Sequence, residues 1–276
     1  MENSVLEDTS QKAIYLFCFA RSAFLPEISG KGVDGENPVF LLPYRDIVAV
    51  AGMVPLEEFY GDLAENRMGD LEWVGPRVCR HEQVVEEVMH HSPVLPARFG
   101  TIFLSLDSLK NRMEMHGDAI RAFFDRVSDT EEWSVKGLLN RENAVQKQYR
   151  RMLAGQAEHL SSLPGTRYLE QQRLQVAAEN ALNHRLKEVN EDVAHDLSRI
   201  AIDWAVRKTL PRKVPGGEGD MILNWAFLVP RNVTADLCAR IDRANAECAD
   251  FELVFELSGP WPPYSFCPIL EAETRP

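Results

Sequence analysis

Short runs of apolar residues, bounded by glycine, proline and acidic residues, dominate the first part of the chain. Residues 14–19 are apolar at every position, which predicts a central strand that is buried on both faces. The apolar runs 39–42 and 46–50 flank Pro43-Tyr44-Arg45 and predict a hairpin. Residues 26–38 are rich in glycine, proline and acid, and they predict a loop.

Two helices are predicted next by apolar residues that recur every three or four positions. Pro76 predicts the start of the first helix, because a proline at the first helical position loses no hydrogen bond. Pro93 predicts its end near His91, because the residue before a proline avoids the helical conformation. The second helix covers 107–127, and the intervening residues 94–103 predict extended structure.

The remainder of the chain alternates predicted strands with predicted helices. The strands are expected over 133–139, 206–210, 221–229 and 251–257. A long helical zone over 141–205 is interrupted at Leu163-Pro164-Gly165, and a Pro/Gly-rich loop covers 211–220. Thr234 is a suitable N-cap for the last helix.

The second half of the long helical zone carries one continuous apolar stripe. Its members are Leu182, Leu186, Val189, Val193, Leu197, Ile200 and Trp204. Such a stripe packs on a sheet or on another helix. A coiled coil is the alternative, although the pattern extends over only about three heptads.

These elements predict an α+β protein of two domains, 1–130 and 131–276. The second domain has the order βαββαβ, which is the pattern of a ferredoxin-like fold, with a long helix and a C-terminal segment rich in proline and aromatic residues. The first domain resembles the later part of the second: a hairpin, a helix, a strand and a proline-rich exit. A chain of 276 residues also suits two domains of ordinary size.

The chain is acidic, since 42 Asp and Glu residues against 30 Lys and Arg residues give a formal net charge of −12. Nucleic acids and anionic membranes are bound through cationic patches, so we expect neither as a partner. No apolar run reaches the ~20 residues of a membrane span, and Met1–Lys12 lacks the pattern of a signal peptide. Five scattered cysteines fit a reducing compartment. We expect a cytoplasmic protein.

The residue clusters that could carry chemistry do not complete a known motif. His81-Glu82 begins like a zinc-protease helix, but Val85 occupies the position of the second histidine. The glycine cluster at 216–219 lies between two predicted strands, whereas a phosphate-binding loop precedes a helix. No serine, histidine and aspartate set stands out. We therefore predict no catalytic residue, no metal site and no cofactor.

Two segments are unusual because they combine prolines with apolar and aromatic residues. In residues 93–103, two prolines exclude a continuous interior strand. Arg98 in this segment is a lone cation among apolar neighbours, so it must reach solvent or pair with a carboxylate. In residues 259–266, prolines fix the backbone and three aromatic side chains offer a large apolar area.

The second segment has two interpretations, a structural clasp that ties the chain end to the body of the protein or a face that binds a partner. The same two roles apply to the first segment. The candidate residues are Pro96, Arg98, Phe99, Trp261, Tyr264 and Phe266.

These two segments resemble the gas vesicle protein GvpF/GvpL family. The first resemblance runs through His81-x-x-Val84-Val85 and Pro93-Val94-Leu95-Pro96-x-Arg98-Phe99-Gly100-Thr101-x-Phe103. The second is Gly259-Pro260-Trp261-Pro262-Pro263-Tyr264-Ser265-Phe266. The resemblance extends over about residues 13–268.

The resemblance implies two α+β domains, the second of a modified ferredoxin-like type. It implies a cytoplasmic, non-enzymatic accessory role in gas vesicle assembly, through contacts with the small hydrophobic shell protein GvpA and with other accessory Gvp proteins. The family defines no catalytic residues, so none is transferred to this chain. The alternatives are an enzyme or a ligand-sensing module with a pocket near Arg98 and His81.

Overall fold

A computed structural model describes residues 11–26, 28, 30–156, 160–209 and 219–270. These residues form two compact units. The first consists of the chain up to Asp129 together with the segment from Pro262, and the second is Thr130–Trp261. The C-terminal segment from Pro262 packs with the first unit and not with the second.

The first unit is a five-stranded antiparallel sheet with helices. Its strands are β1 (Lys12–Arg21), β2 (Val39–Tyr44), β3 (Ile47–Pro55), β4 (Val94–Pro96) and β5 (Ile102–Phe103). Its helices are α1 (Leu56–Phe59), α2 (Asp62–Met68), α3 (Leu71–His91) and α4 (Leu106–Val127). The strand order is β2-β3-β1-β4, and β5 also pairs with β1.

The central strand β1 is buried on both faces, as its uniformly apolar sequence predicts. Residues 13–20 are each no more than 3% exposed. On one face, Tyr15 and Phe17 pack with Val85 and Val88 of α3. Helix α4 also contacts β1, and because α3 covers one face, α4 covers the other. This arrangement places α3 directly over the aromatic residues of β1.

The start of α3 differs from the prediction. The helix begins at Leu71, where the side chain of Asp70 accepts a hydrogen bond from the Glu72 amide at 2.9 Å, so Pro76 lies inside the helix. The capping residue Asp70, six residues before the proline, therefore sets the start. The segment 94–103 is also less regular than expected, because β4 and β5 are separated by a turn at Gly100. Helices α1 and α2 were not predicted.

The second unit is a four-stranded antiparallel sheet with three helices in its described part. Its strands are β6 (Thr130–Leu139), β7 (Asp203–Val206), β8 (Asp220–Pro230) and β9 (Leu253–Trp261). Its helices are α5 (Arg141–Gln156), α6 (Pro164–Ile200) and α7 (Thr234–Cys248). The strand order is β7-β8-β6-β9. The prediction of an α+β protein is confirmed, with two antiparallel sheets.

Helix α6 uses its apolar stripe inside the second unit. Leu182, Leu186, Val189, Val193 and Leu197 are buried in one core with residues of the sheet and of α7. The stripe therefore packs on the sheet of its own chain, as the first interpretation of the pattern requires. The predicted interruption is also present, because α6 begins with a proline at its first position.

The end of α6 differs from the prediction. The helix stops at Ile200, and Trp204, which was assigned to the helical stripe, lies in β7. The Trp204 ring stacks on the Phe227 ring of β8, with centroids 6.1 Å apart and planes at 15°. The helical spacing of apolar residues therefore continues to Trp204, but packing between β7 and β8 decides the conformation of this residue. The strand predicted over 206–210 is displaced to Asp203–Val206 for the same reason.

Two predictions fall largely outside the described residues, the Pro/Gly-rich loop over 211–220 and the polar stretch Met1–Lys12. Among the described helices, none combines the length and the hydropathy that a membrane span requires.

Replacing Leu197 by alanine should destabilise the second unit strongly. Leu197 is fully buried, so the truncation removes apolar contacts and leaves a cavity, which typically costs about 2–5 kcal/mol. Urea unfolding monitored by circular dichroism measures the change. Leu169→Ala is the matched control on the same helix: Leu169 is 58% exposed, and we expect a change within about 0.5 kcal/mol. Equal effects of the two variants would contradict the packing of α6 within this chain.

Candidate functional site

A buried histidine, His81, is the centre of an aromatic cluster in the first unit. It lies on the apolar side of α3 and is 0% exposed. Its ring stacks on the Phe17 ring at a centroid distance of 5.6 Å and an interplanar angle of 27°. The rings of Tyr15 and Phe99 meet it edge-on, at centroid distances of 5.7 and 6.0 Å. The face of β1 and the helix above it therefore enclose the imidazole.

Both nitrogens of the imidazole have hydrogen-bond partners. Nδ1 lies 2.8 Å from the Tyr15 hydroxyl oxygen, and Nε2 lies 3.1 Å from the Tyr264 hydroxyl oxygen. The Gly100 amide donates to the Tyr15 hydroxyl at 3.2 Å, and the Tyr264 hydroxyl donates to Oε1 of Glu82 at 3.0 Å. These contacts form one continuous chain from the turn at Gly100, through the histidine, to the carboxylate.

The partners assign one tautomer to His81. The Tyr264 proton is directed to Glu82, so the Tyr264 oxygen accepts a hydrogen bond from Nε2–H. Nδ1 then carries no proton and accepts a hydrogen bond from the Tyr15 hydroxyl. The Tyr15 hydroxyl oxygen in turn accepts a hydrogen bond from the Gly100 amide. Every group is satisfied when the imidazole is neutral. Burial lowers the pKa of His81 to about 4, although the backbone of Ala97 acts in the opposite direction.

The same burial affects the other ionisable members of the chain. It raises the pKa of Tyr264, and the Glu82 carboxylate adds to that rise by its charge and by its hydrogen bond. Burial also raises the pKa of Glu82, against the effect of the Tyr264 hydrogen bond. Tyr15 likewise has a raised pKa because it is buried. Both tyrosines therefore stay protonated and act as hydrogen-bonding links.

The C-terminal candidates divide into buried and exposed residues. Phe266 is 7% exposed, and Tyr264 is half-buried against His81 and Glu82. In the 93–103 segment, Pro96 is buried and pairs with Cys18 of β1. The described contacts of these three candidates lie within the first unit.

Arg98 and Phe99 are accessible to different degrees. Arg98 is exposed, so the lone cation reaches solvent, and Phe99 is half-buried. On the other side of the turn, the Met68 methyl carbon lies 3.3 Å from the position that a Cβ on Gly100 would occupy. Leu104, which is 63% exposed, follows in the same segment. Exposed apolar side chains are therefore present beside the turn, at Met68, and shortly after it in the chain, at Leu104.

Trp261, the last candidate, belongs to the second unit. It is the final residue of β9, pairs with Glu132 of β6 and is 39% exposed. Its indole N–H donates to the Ser258 hydroxyl at 3.2 Å. Part of its ring surface therefore remains free while its polar atom is satisfied.

The cluster around His81 is not arranged for catalysis. Both imidazole nitrogens are occupied and the side chain is fully buried, so neither nitrogen can reach a substrate. Among the described residues, no group of three or more His, Cys, Asp or Glu side chains is placed to hold a metal ion. An open cavity of about 310 Å³ lies on another side of α3. It is lined by Ile28, Gly30, Lys31, Val39, Arg80, Gln83, Val84 and Glu87.

The residues singled out from the sequence include Phe99 and Tyr264 of this cluster, but the sequence did not show how they are connected. Tyr264 is 183 residues from His81, and no spacing rule relates positions so far apart. The available signal was a histidine on the apolar side of a helix, which indicates a buried group that needs hydrogen-bond partners. Tyr15 and Glu82 could not be assigned as those partners from the sequence alone.

Residues 13–268 of the chain match the family described as "Gas vesicle synthesis protein GvpL/GvpF". The chain is 27% identical over 263 residues to gas vesicle protein L of Streptomyces sp., with 95% of each chain covered. It is 28% identical over 261 residues to gas vesicle protein F of Streptomyces sp., covering 91% of this chain and 98% of that one.

The fold is similar to the crystal structure of the gas vesicle protein GvpF from Anabaena sp.. The TM-score is 0.66 at 19% sequence identity, and the match covers 96% of this chain and 99% of that chain. At this level of identity, the likeness concerns the fold.

Tyr264→Phe should destabilise the first unit by about 1–3 kcal/mol, because it leaves the His81 Nε2–H without an acceptor in a buried site. The midpoint of urea unfolding measures the effect. Tyr60→Phe is the control in the same unit, since Tyr60 is 59% exposed, and its midpoint should not change. An unchanged midpoint for Tyr264→Phe would show that the clasp contributes nothing to stability.

The stability of the first unit should fall as the pH is lowered from about 6.5 to about 4. In this range the unfolded His81 binds a proton and the folded one does not, so acid favours unfolding. The full effect is about 3 kcal/mol, since each pKa unit corresponds to about 1.4 kcal/mol. Glu82 acts in the opposite sense, because its pKa is raised in the folded state. The free energy of unfolding, measured from pH 4 to pH 7.5, gives the sum of the His81 and Glu82 contributions.

The His81→Gln variant separates the contribution of the imidazole to the pH dependence of stability from that of the other ionisable groups. Glutamine keeps a donor and an acceptor but does not titrate, so the variant should lose most of the pH dependence whatever its stability at pH 7. If the wild type and the variant show the same slope between pH 4 and pH 6.5, the assignment of a neutral buried His81 is wrong.

Proposed function

This chain belongs to the GvpL/GvpF family of gas vesicle synthesis proteins, and we propose that it acts in gas vesicle formation by binding the small hydrophobic shell protein GvpA. Other accessory Gvp proteins are further partners in this proposal. Binding takes place before or during growth of the vesicle. The observation that carries the proposal is the combination of family membership with an accessible apolar surface on a strongly acidic protein.

The accessible apolar surface lies around the turn at Gly100 in the first unit. We call it the Phe99 surface, and its members are Met68, Arg98, Phe99, Leu104 and Leu106. Met68, Leu104 and Leu106 are 39, 63 and 44% exposed. Apolar side chains grouped on the surface of a protein mark sites of interaction with other proteins.

The charge of the protein supports the same role. A shell protein that encloses gas has to present apolar surface, which promotes its aggregation before assembly. A partner with net charge −12 that covers this surface gives a complex that carries the charge and remains dispersed. This role requires no chemical reaction, and we propose that the protein works without catalysis. We propose that it acts in the cytoplasm and at the gas vesicle.

The two segments that carry the family resemblance have different parts in the proposal. Tyr264 and Phe266 act as the clasp, since their side chains are engaged within the first unit. Arg98, Phe99 and Trp261 contact partners, because each is at least partly accessible. We also infer that the second unit is a ferredoxin-like domain, which is supported by its strand order β7-β8-β6-β9 and by the succession of its elements.

Leu104→Ser should reduce the capture of shell protein several-fold, because it places a hydroxyl in the middle of the apolar Phe99 surface. The measurement is co-expression with GvpA and affinity capture of this chain, followed by quantification of captured and soluble shell protein. Trp261→Ala tests the second candidate contact in the same assay. Unfolding curves confirm that each variant is folded.

Leu169→Ser is the matched control, because Leu169 is 58% exposed but lies on α6 of the second unit. Normal capture by this variant and reduced capture by Leu104→Ser support the Phe99 surface. Normal capture by both excludes the surface, while the function stands. A wild-type chain that captures no GvpA and does not raise its solubility contradicts the proposed function itself.

A further inference from the structure

Strand β7 is the edge of the sheet in the second unit. It pairs with β8 on one side, and in the described residues no strand lies on its other side. The backbone amide of Arg207 donates to the Asn224 carbonyl at 2.7 Å, so this residue faces β8. Because backbone groups alternate along a strand, the N–H and C=O groups of Trp204 and Val206 point away from β8. These groups form the open edge.

The open edge also carries exposed apolar side chains. Trp204 and Val206 share one face of β7 and are 42 and 71% exposed, and Ile202, which precedes the strand, is 56% exposed. The Trp204 ring is held in place by stacking on the Phe227 ring. An edge that offers outward-facing backbone groups and exposed apolar side chains is suited to the addition of another strand.

The apolar part of this edge is complementary to itself. Residues 204–206 read Trp-Ala-Val, with alanine at the centre. In an antiparallel pair of two copies centred on Ala205, Trp204 lies opposite Val206, and an aromatic to β-branched pair is favourable across strands. The Arg207 guanidinium takes no part in this pairing, because it forms an ion pair with Glu132 of β6 in its own chain.

We propose that two copies of this chain associate through antiparallel pairing of their β7 edges, in the register that places Ala205 of each copy opposite its counterpart. In this register Trp204 and Val206 form the hydrogen-bonded pairs, because their backbone groups point outward. Small alanine side chains meet at the two-fold axis, where strands approach most closely. The pairing joins the two four-stranded sheets into one sheet of eight strands.

The association is reversible and depends on concentration. An edge of four residues buries much less than the about 1,200 Å² of a stable interface. The Asp203 carboxylate also accepts the Trp204 amide at 2.8 Å in the single chain, so it competes with the incoming strand for one donor.

Val206→Pro tests the edge directly. The Val206 N–H points away from β8, so proline removes a donor from the open edge and none from the existing ladder. We expect sedimentation equilibrium to show an equilibrium between monomer and dimer for the wild type. For Val206→Pro, the dissociation constant should be at least about tenfold larger, which corresponds to about 1.4 kcal/mol. Val206→Thr keeps the amide and the β-branched shape, and its dissociation constant should lie close to that of the wild type.

Ala205→Cys tests the register without relying on proline. On a background in which the exposed Cys79 is serine, two such chains should form a disulfide-linked dimer under mild oxidation, because paired cysteines at the axis approach closely enough. Val206→Cys on the same background should cross-link much less, since its partner is Trp204. Any one of three results would overturn the proposal. The wild type could stay monomeric up to its solubility limit, or Val206→Pro could leave the dissociation constant unchanged. The third is equal cross-linking of the two cysteine variants.

Discussion

The first unit depends on how a neutral imidazole is satisfied in an apolar interior. His81 can be buried only because the Tyr15 hydroxyl donates a hydrogen bond to Nδ1 and the Tyr264 hydroxyl oxygen accepts one from Nε2–H. This requirement joins three parts of the chain, the central strand, the helix over it and the segment after the second unit. A buried polar group without partners costs about 1–3 kcal/mol, so each tyrosine stabilises the fold through the histidine as well as through its own packing.

Much of the fold could be predicted from the pattern of apolar residues. The central strand β1, the hairpin of β2 and β3, and the long stripe on α6 all follow from periodicity, because their burial is decided locally along the chain. The predictions are wrong where another residue decides the local structure. Trp204 continues the helical spacing but stacks on Phe227 of the neighbouring strand. Pro76 predicts a helix start, but the cap at Asp70 sets the start instead.

The candidate residues show the same limit. Their chemical character was evident from the sequence, since prolines, aromatic rings and a lone cation in two short segments are unusual. Whether each side chain is engaged or exposed depends on residues up to 183 positions away, and composition carries no information about that pairing. The structure assigns Tyr264 and Phe266 to the interior of the first unit and leaves Arg98 at the surface. The burial of each candidate side chain could not be predicted from the sequence.

The return of the chain to the first unit also affects how the molecule is made. A polypeptide leaves the ribosome from its N-terminus, and domains generally fold as units during synthesis. The second unit is contiguous, so all its residues have been made when Trp261 is added. The first unit has to wait for Pro262 and the residues that follow, and until then His81 lacks its acceptor. The unit that starts first is therefore completed last, and the residues after Trp261 decide when the first unit reaches its finished state.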